Sequence, residues 1–366
     1  MTISKFIFKV FFYFQVRIDR FKNYLFQMME LYRIEKFLKS KERNTLSVVW
    51  DLKREGVVIG DFIIFCFFLK YFQMKGKRIE IYIIYKKNEI RKSVKKKIHE
   101  ESDKVIRNYW LDLKFRMAKK ILNKGTLKLR LRKWDQINKK EINNKKKFLI
   151  FKEAALSRDS NFHYIFFIQN RLLKKENDNF MKKYLISWKN FKSDTSKKTN
   201  FFCRRIFYCL IIRNNKDKNE RRELTGEDIV LFIQKFYKIK KKANLLIVSD
   251  KKGNNYVKKI IKKNQKHLNK NIKIFFNKDF STSLFEDAYL LLKSKCTFSL
   301  PASGGIMCWL HYSKAPFLLA FYHSRIWNYR FLLSNKYLHF FWKKKQVWVN
   351  SNNTQDLLKK MEEYRF

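Results

Sequence analysis

Glycine and proline are scarce in this sequence, 8 and 2 among 366 residues. That scarcity excludes a collagen-like or loop-rich chain. Carboxylates are also scarce: 32 Asp and Glu face 84 Lys and Arg, for a formal net charge of +52. No apolar run approaches the roughly 18 residues of a membrane-spanning helix. The longest, from Phe62 to Leu69, stops at Lys70. The five cysteines, Cys66, Cys203, Cys209, Cys296 and Cys308, contain no CxxC pair, and the six histidines no HxxxH or HExxH pair. A zinc site therefore has little support. Four of the cysteines stand in apolar surroundings, where the residue acts as a small hydrophobe, and a reducing compartment follows as the simplest reading. D-x-D occurs nowhere, which disfavours a carboxylate cradle for a metal-bound nucleotide. No metal and no other cofactor is expected.

Apolar and aromatic residues, by contrast, are plentiful, at 46% and 17% of the chain. They are enough for a real core and exclude intrinsic disorder. The length admits two domains. Two readings of the charge stand side by side. A basic protein is drawn to nucleic-acid phosphates by counterion release. Alternatively, the abundance of Lys, Asn, Ile, Phe and Tyr reflects the codons of an AT-rich genome, with lysines filling neutral surface positions. The lysine runs at 95–97, 145–147, 240–242 and 343–345 are scattered rather than gathered on one segment, which favours drift. On either reading, self-repulsion makes stability and solubility sensitive to salt.

Residues 1–44 form an aromatic and basic extension without Gly or Pro, read as helical. Lys5, Lys9, Arg17 and Arg20 interrupt its apolar residues, and no small-residue cleavage site follows, unlike a signal peptide. Such a helix either lies on an anionic membrane surface or packs on the first domain. From Leu46 the grammar changes. Leu46 to Trp50 reads as a buried strand, 51–61 as a glycine-containing loop, Phe62 to Gln73 as a buried helix ended by Gly76, and Ile79 to Ile84 as a strand. This is a βαβ unit. A long charged helix over 88–122 and a strand at 148–151 follow. The polar stretch 176–200 reads as the connection between domains. Beyond it, strands at 205–212, 244–249, 272–276, 296–300 and 317–321 alternate with four helices, and a strand at 346–349 and a closing helix from Thr354 complete the chain. Thr225 and Asp228 make an acidic capping box for the first of these helices. The pattern predicts a doubly wound parallel sheet. The expected division is a helical extension (1–44), an N-terminal α/β domain (45–195), a C-terminal α/β domain (196–350) and a final helix (351–366).

Because glycine and proline are rare, their positions inform. Gly56 and Gly60 share one loop; Gly304 and Gly305 share another, bracketed by Pro301 and Pro316. Each loop follows a predicted strand and opens a helix, at the edge where such sheets bind ligands. Small residues at 301–305 admit a close ligand, and a helix beginning near Ile306 would turn its N–H groups and positive end toward a phosphate. An ordinary βα turn is the bland alternative.

Several short segments resemble the donor half of GT-B glycosyltransferases of the fucosyltransferase-like and heptosyltransferase-like kinds. These are the strand ending in Ser249-Asp250, the helix carrying Asp287 and Leu291, and the Ser303-Gly304-Gly305 loop. Arg213 after its strand, with Arg221 and Arg222 beyond, resembles the element that faces the donor diphosphate. Ile59-Gly60-Asp61 resembles the acceptor loop of heptosyltransferases. The resemblance implies two Rossmann-like domains facing a cleft and a metal-independent transfer of sugar from a nucleotide sugar to a glycan or lipid-linked hydroxyl. It implies donor contacts at Arg213, Arg221, Arg222, Asp250, Ser303, Gly304 and Gly305, and an acceptor loop including Glu55 and Gly60. It implies a cytoplasmic enzyme of polysaccharide synthesis, peripheral to the inner face of the membrane. The His-x-Arg-Arg-x-Asp run of α1,6-type fucosyltransferases is missing, which speaks against GDP-fucose.

Asp61 is the expected general base, with Asp51 and Glu55 behind it; an N-cap for the following helix is the structural alternative. Asp250 either meets the nucleotide or ends its strand. No Asp or Glu occurs from Ala288 to Gln355, so anion binding there is unopposed. His311, His323, His339, Trp309, Trp327, Trp342 and Trp348 lie in or beside this stretch, with packing as their default role. Two alternatives to the transferase remain: a nucleic-acid-binding protein that uses the charge directly, and an inactive GT-B scaffold.

Overall fold

The computed structural model describes residues 25, 28–29, 31–40, 44–51, 59–85, 113–133, 168–169, 171–212, 225–268, 273–299, 305–321, 346–350 and 354–363. The chain folds as two compact units. One comprises residues 1–56, 68–91 and 123–175; the other comprises 57–67, 92–122 and 176–366.

The first unit holds helix α1 (residues 31–39) and a three-stranded parallel sheet, with β1 Thr45–Asp51 beside β2 Arg78–Tyr85 and β2 beside β3 Leu127–Lys133. Leu46, Val48 and Trp50 of β1 and Ile79 and Ile81 of β2 are buried, in register Val48 to Ile81. Between β1 and β2 the chain forms helix α2, Ile59–Met74. Phe62 through Leu69 are buried without interruption, as the lack of a polar face in this segment requires. The helix ends in a Schellman turn. Gly76 takes φ 82°, and the N–H groups of Gly76 and Lys77 return to the carbonyls of Gln73 and Phe72. A Cβ there would strain the left-handed backbone, so this glycine has a local reason.

Of the charged helix expected over 88–122, its end is described as α3 (residues 113–121). The strand expected at 148–151 lies outside the described residues. Strand β3 has no counterpart in the sequence-based expectations.

The stretch 176–200, expected to connect two domains, is folded into the second unit. It forms α4 Asp178–Tyr184, a 3-10 turn Trp188–Asp194 and α5 Lys197–Phe202. Its polar residues are caps: Asn177 accepts from Phe180 N–H at 2.9 Å and Ser196 from Thr199 N–H at 3.2 Å. Its apolar ones, Tyr184 and Phe191, are fully buried.

The rest of this unit alternates strand and helix: β4 Phe207–Ile211, α6 Gly226–Ile239, β5 Asn244–Val248, α7 Lys251–Lys263, β6 Lys273–Phe276, α8 Leu284–Lys293, β7 Thr297–Ser299, α9 Cys308–His311, β8 Phe317–Phe321, β9 Gln346–Asn350 and α10 Thr354–Glu363. The six strands are parallel, in the order β6-β5-β4-β7-β8-β9. Counted from β4, this is 3-2-1-4-5-6, the order of dinucleotide-binding sheets. Every strand of this sheet lies within two residues of its expected ends.

One core is built by α6, α7 and α10 against the sheet. Ile229, Phe232, Ile233 and Phe236 recur at helical spacing and meet Leu210, Leu245, Phe298 and Leu318, each such side chain contributing about 1.5–3 kcal/mol by burial. The predicted capping box is present, with Thr225 Oγ1 accepting from Asp228 N–H at 3.1 Å and Asp228 Oδ2 accepting from Thr225 N–H at 3.3 Å. A second, aromatic cluster joins Phe67, Tyr184, Phe191, Trp309 and Tyr312. Phe67 stacks on Tyr312 at 4.1 Å, and the Tyr184 hydroxyl donates to the Phe67 carbonyl at 2.8 Å. Trp309 is thus a packing residue.

Candidate active site

The strand order places a reversal between β4 and β7. From β4 the chain proceeds outward through β5 and β6; from β7 it proceeds the other way, through β8 and β9. A crevice opens at the carboxyl edge of such a point, and ligands of doubly wound sheets bind there. Ile211, at the end of β4, is in register with Ser299, at the end of β7. The two segments leaving this edge are therefore 212–225 and 300–305. These hold Arg213, Arg221, Arg222, Ser303, Gly304 and Gly305, most of the residues expected to face a donor. Gly305 opens a 3-10 turn; the other five lie outside the described residues.

The helix expected after this loop is too short to build a strong dipole. It consists of the 3-10 turn Gly305–Met307 and the single α-turn of α9. Its aligned peptide units are few, so it offers little dipole to an anion. His311 closes this turn. Burial holds its imidazole well below the usual range, at about 3, and therefore neutral. It carries no charge to offer a phosphate. His323, His339, Trp327 and Trp342 lie outside the described residues, as does the Trp348 side chain.

At the neighbouring end of β5, Asp250 caps α7, with its Oδ1 accepting from Gly253 N–H at 2.7 Å. Directly behind it lies a buried polar cluster. Asn277 follows β6, and its Oδ1 accepts from Ser249 N–H at 3.1 Å and from Asn254 Nδ2 at 2.8 Å. Its own Nδ2 donates to Asp287 Oδ1 at 2.7 Å. Asp287 accepts further from Ser281 Oγ and, at 2.6 Å, from Lys278 Nζ. The cluster joins the ends of β5 and β6 to the first turn of α8. Asp287, carried by the resemblance as a motif residue, is thus a structural hub.

Glu286 beside it is equally engaged. Its Oε1 accepts from Ser196 N–H at 2.8 Å and Thr199 Oγ1 at 3.0 Å, and its Oε2 from Thr282 N–H at 2.7 Å and Thr282 Oγ1 at 2.9 Å. Burial pushes this carboxyl up, but the backbone N–H groups of Ser196 and Thr282, with neighbouring hydroxyls, outweigh it and hold the group at about 2. Such a carboxylate is a poor base at neutral pH. The two acids that precede the acid-free stretch are therefore both committed to the fold. Asn254, Asn277, Ser281 and Lys278 form no motif in the sequence. Single polar residues after a strand carry no pattern that distinguishes a hub from a loop.

Helix α2 begins at Ile59, so Asp61 stands within its first turn rather than at its N-cap. Gly60 is buried in the same turn. An acid there is favoured by the helix dipole. The Asp61 side chain and Glu55 lie outside the described residues.

All five cysteines are buried free thiols. Burial pushes Cys203 up to about 12 and raises Cys66, Cys209 and Cys296 further still, so these thiols stay protonated and unreactive. Among the described residues, no helix is long and apolar enough to cross a membrane.

The fold and its edge define an α/β protein with two parallel sheets, the second of Rossmann order. No family model matches the chain, and no curated protein matches its sequence. Solved structures do resemble it. One is a glycosyl transferase family 9 protein from Veillonella parvula DSM 2008, at 8% identity over 87% of this chain and 89% of that one, with a TM-score of 0.46. Another is a glycosyltransferase from Rickettsia africae ESF-5, at 13% identity over 88% of each chain, with a TM-score of 0.34. A third is the UDP-GlcNAc 2-epimerase of Methanocaldococcus jannaschii in complex with UDP-GlcNAc and UDP, at 12% identity over 88% of this chain and 92% of that one, with a TM-score of 0.35.

Proposed function

We propose that the protein is a glycosyltransferase that moves a sugar from a nucleotide-sugar donor to a hydroxyl of a glycan or lipid-linked acceptor, without a metal ion. One observation carries this reading. The reversal between β4 and β7 sends 212–225 and 300–305 out from the same edge, and those segments bear Arg213, Arg221 and Arg222 on one side and Ser303-Gly304-Gly305 on the other. The second lies inside the acid-free stretch. A diphosphate is the ligand this combination suits: arginines for its charge and, on the 300–305 side, small residues for its close approach with no carboxylate among them.

In the transfer, the acceptor oxygen forms a bond to the anomeric carbon while the bond from that carbon to the diphosphate breaks. The leaving electron pair goes to the diphosphate oxygen, where Arg213 with Arg221 or Arg222 stabilises it. The acceptor proton goes to Asp61. Asp250 and the Ser303 loop hold the donor, and Glu55 and Gly60 shape the acceptor loop. The commitment of Glu286 and Asp287 to the fold leaves neither free for the base's role.

The test is a thermal-shift series with UDP-, GDP- and ADP-sugars, run beside an RNA titration over salt. Stabilisation by one sugar nucleotide, through preferential binding to the folded state, is the expected result. Absence of any nucleotide effect, together with salt-steep RNA binding, would sink the reading in favour of a nucleic-acid-binding protein. Nucleotide binding without transfer or hydrolysis would mark an inactive scaffold.

A further inference from the structure

The N-terminal helical residues carry two opposite faces. Leu31 and Ile34 are buried. Leu25, Met28, Met29 and Tyr32 are exposed, at 46%, 37%, 64% and 67%. Their spacing, i, i+3, i+4 and i+7, puts all four on one stripe. One turn further along, the same stripe continues as Lys36 and Lys39, both exposed. Arg33 is exposed at its flank, and Glu35 is held by Lys175 at 2.6 Å. Four of the six large exposed apolar side chains found among the described residues therefore fall on this one helix face, with cations at its end.

We infer that this face docks on an anionic lipid bilayer, with the Leu, Met and Tyr side chains entering the boundary between headgroups and acyl chains and Lys36 and Lys39 meeting the acidic headgroups. The chemistry of the stripe selects this occupant. Phosphates of a nucleic acid would engage the lysines and leave the methionines and leucine without a role. A second copy of the chain would bring together two molecules that each carry a charge of +52, and such like-charge association is costly. A bilayer surface rewards both halves of the stripe together, apolar insertion and cationic attraction. Tyr, apolar in body and polar at its tip, suits the same boundary. The proposal is independent of the transferase reading, since the face lies on the extension rather than at the sheet edge.

The experiment is flotation of the full chain with vesicles of phosphatidylglycerol and phosphatidylcholine, or of phosphatidylcholine alone, at low and high NaCl. Three proteins are compared: wild type, Met29→Ser/Tyr32→Ser, and Lys36→Glu/Lys39→Glu. All four side chains are exposed, so both variants keep the wild-type melting temperature; Leu25→Ser/Met28→Ser is a second stripe variant should the first melt early. Wild type is expected to float with anionic vesicles and to remain partly bound at high salt. The stripe variant is expected to lose that salt-resistant binding by about tenfold, and the charge variant to lose binding at low salt. Stripe variants that float like wild type at both salt concentrations would overturn the proposal, because binding would then come from diffuse charge alone. Wild type that fails to float with anionic vesicles would overturn it equally.

Discussion

A Cβ added to Gly253 would stand 1.9 Å from Ser249 Oγ and 2.9 Å from Ser249 Cβ. Helix α7 and the end of β5 meet here at a distance that only glycine permits. The hydroxyl can rotate away, but Ser249 Cβ cannot move without its backbone, and Asn277 holds that backbone through Ser249 N–H. Gly253→Ala is therefore expected to destabilise the protein by about 1–2 kcal/mol, overpacking outweighing the gain in helix propensity. Gly226→Ala, whose Cβ would meet Ile260 at an ordinary 3.5 Å, is expected to be neutral or to stabilise by up to about 1 kcal/mol. Denaturant melts of the two variants check the contrast.

Glu286 sets an acid limb. Its folded value of about 2 lies below the ordinary 4.5. A depressed carboxyl contributes stability that is fully present above its unfolded value and is lost as pH falls through the folded one. The window is therefore about pH 4.5 down to 2, and the contribution is about 3 kcal/mol. Glu286→Gln is expected to lower stability at neutral pH and to flatten this part of the profile. A wild-type slope retained in the variant would assign the acid limb to other groups.

Asp287 is the acceptor for Asn277, Ser281 and Lys278 at once. Asp287→Ala leaves those donors facing an apolar side chain, at a cost of about 3 kcal/mol. The value falls at the low end for a broken buried pair because Lys278 retains some access to water. Chemical denaturation of Asp287→Ala beside Lys278→Met measures it, and the lysine variant is expected to cost less.

The roles proposed for Arg213 and Asp61 separate donor binding from transfer. Arg213→Ala is expected to remove stabilisation by the nucleotide sugar, whereas Asp61→Asn keeps that stabilisation and abolishes transfer. At one hundred times its dissociation constant, the donor contributes about 2.7 kcal/mol to a thermal shift. Transfer that survives in Asp61→Asn would remove this residue from the role of base.

Salt acts on the whole molecule. Raising ionic strength from 0.1 to 1 M shortens the screening length from about 10 to about 3 Å, which relieves the self-repulsion of a chain of charge +52. The melting temperature is expected to rise with NaCl over this range. A flat response would show that the cations are already compensated by local partners.

The second sheet was legible because its inner strands β4, β5, β7 and β8 are buried over most of their length. Runs such as Leu245 to Val248 and Phe317 to Leu319 therefore read as continuous apolar segments between capped helices. The acidic capping box at Thr225 was legible because its two partners stand three residues apart in the sequence. Strand β3 was not, because Leu127–Lys133 alternates leucine with lysine and arginine, and in so basic a chain that alternation is hard to distinguish from compositional background. The stretch 176–200 looked like a linker because Ser and Thr mark loops as often as caps. Ser196 and Thr199 turn out to satisfy Glu286, a partner about ninety residues away that no local pattern reveals. At the candidate site, strand order sets the ends of β4 and β7 in register, whereas the hub at Asn277 became visible only through its bonds.

The order β6-β5-β4-β7-β8-β9 also has a consequence for how the protein is made. Of this sheet, strand β4 leaves the ribosome first, yet one of its two flanks stays open until β5, β6 and α8 have been synthesised and β7 arrives. Throughout that interval a row of backbone N–H and C=O groups, set among Phe207, Cys209 and Leu210, offers itself to any extended chain nearby. Synthesis of this protein therefore passes through a period of exposure to aggregation that the finished sheet no longer displays. Chaperone demand is expected to be greatest between the emergence of β4 and that of β7.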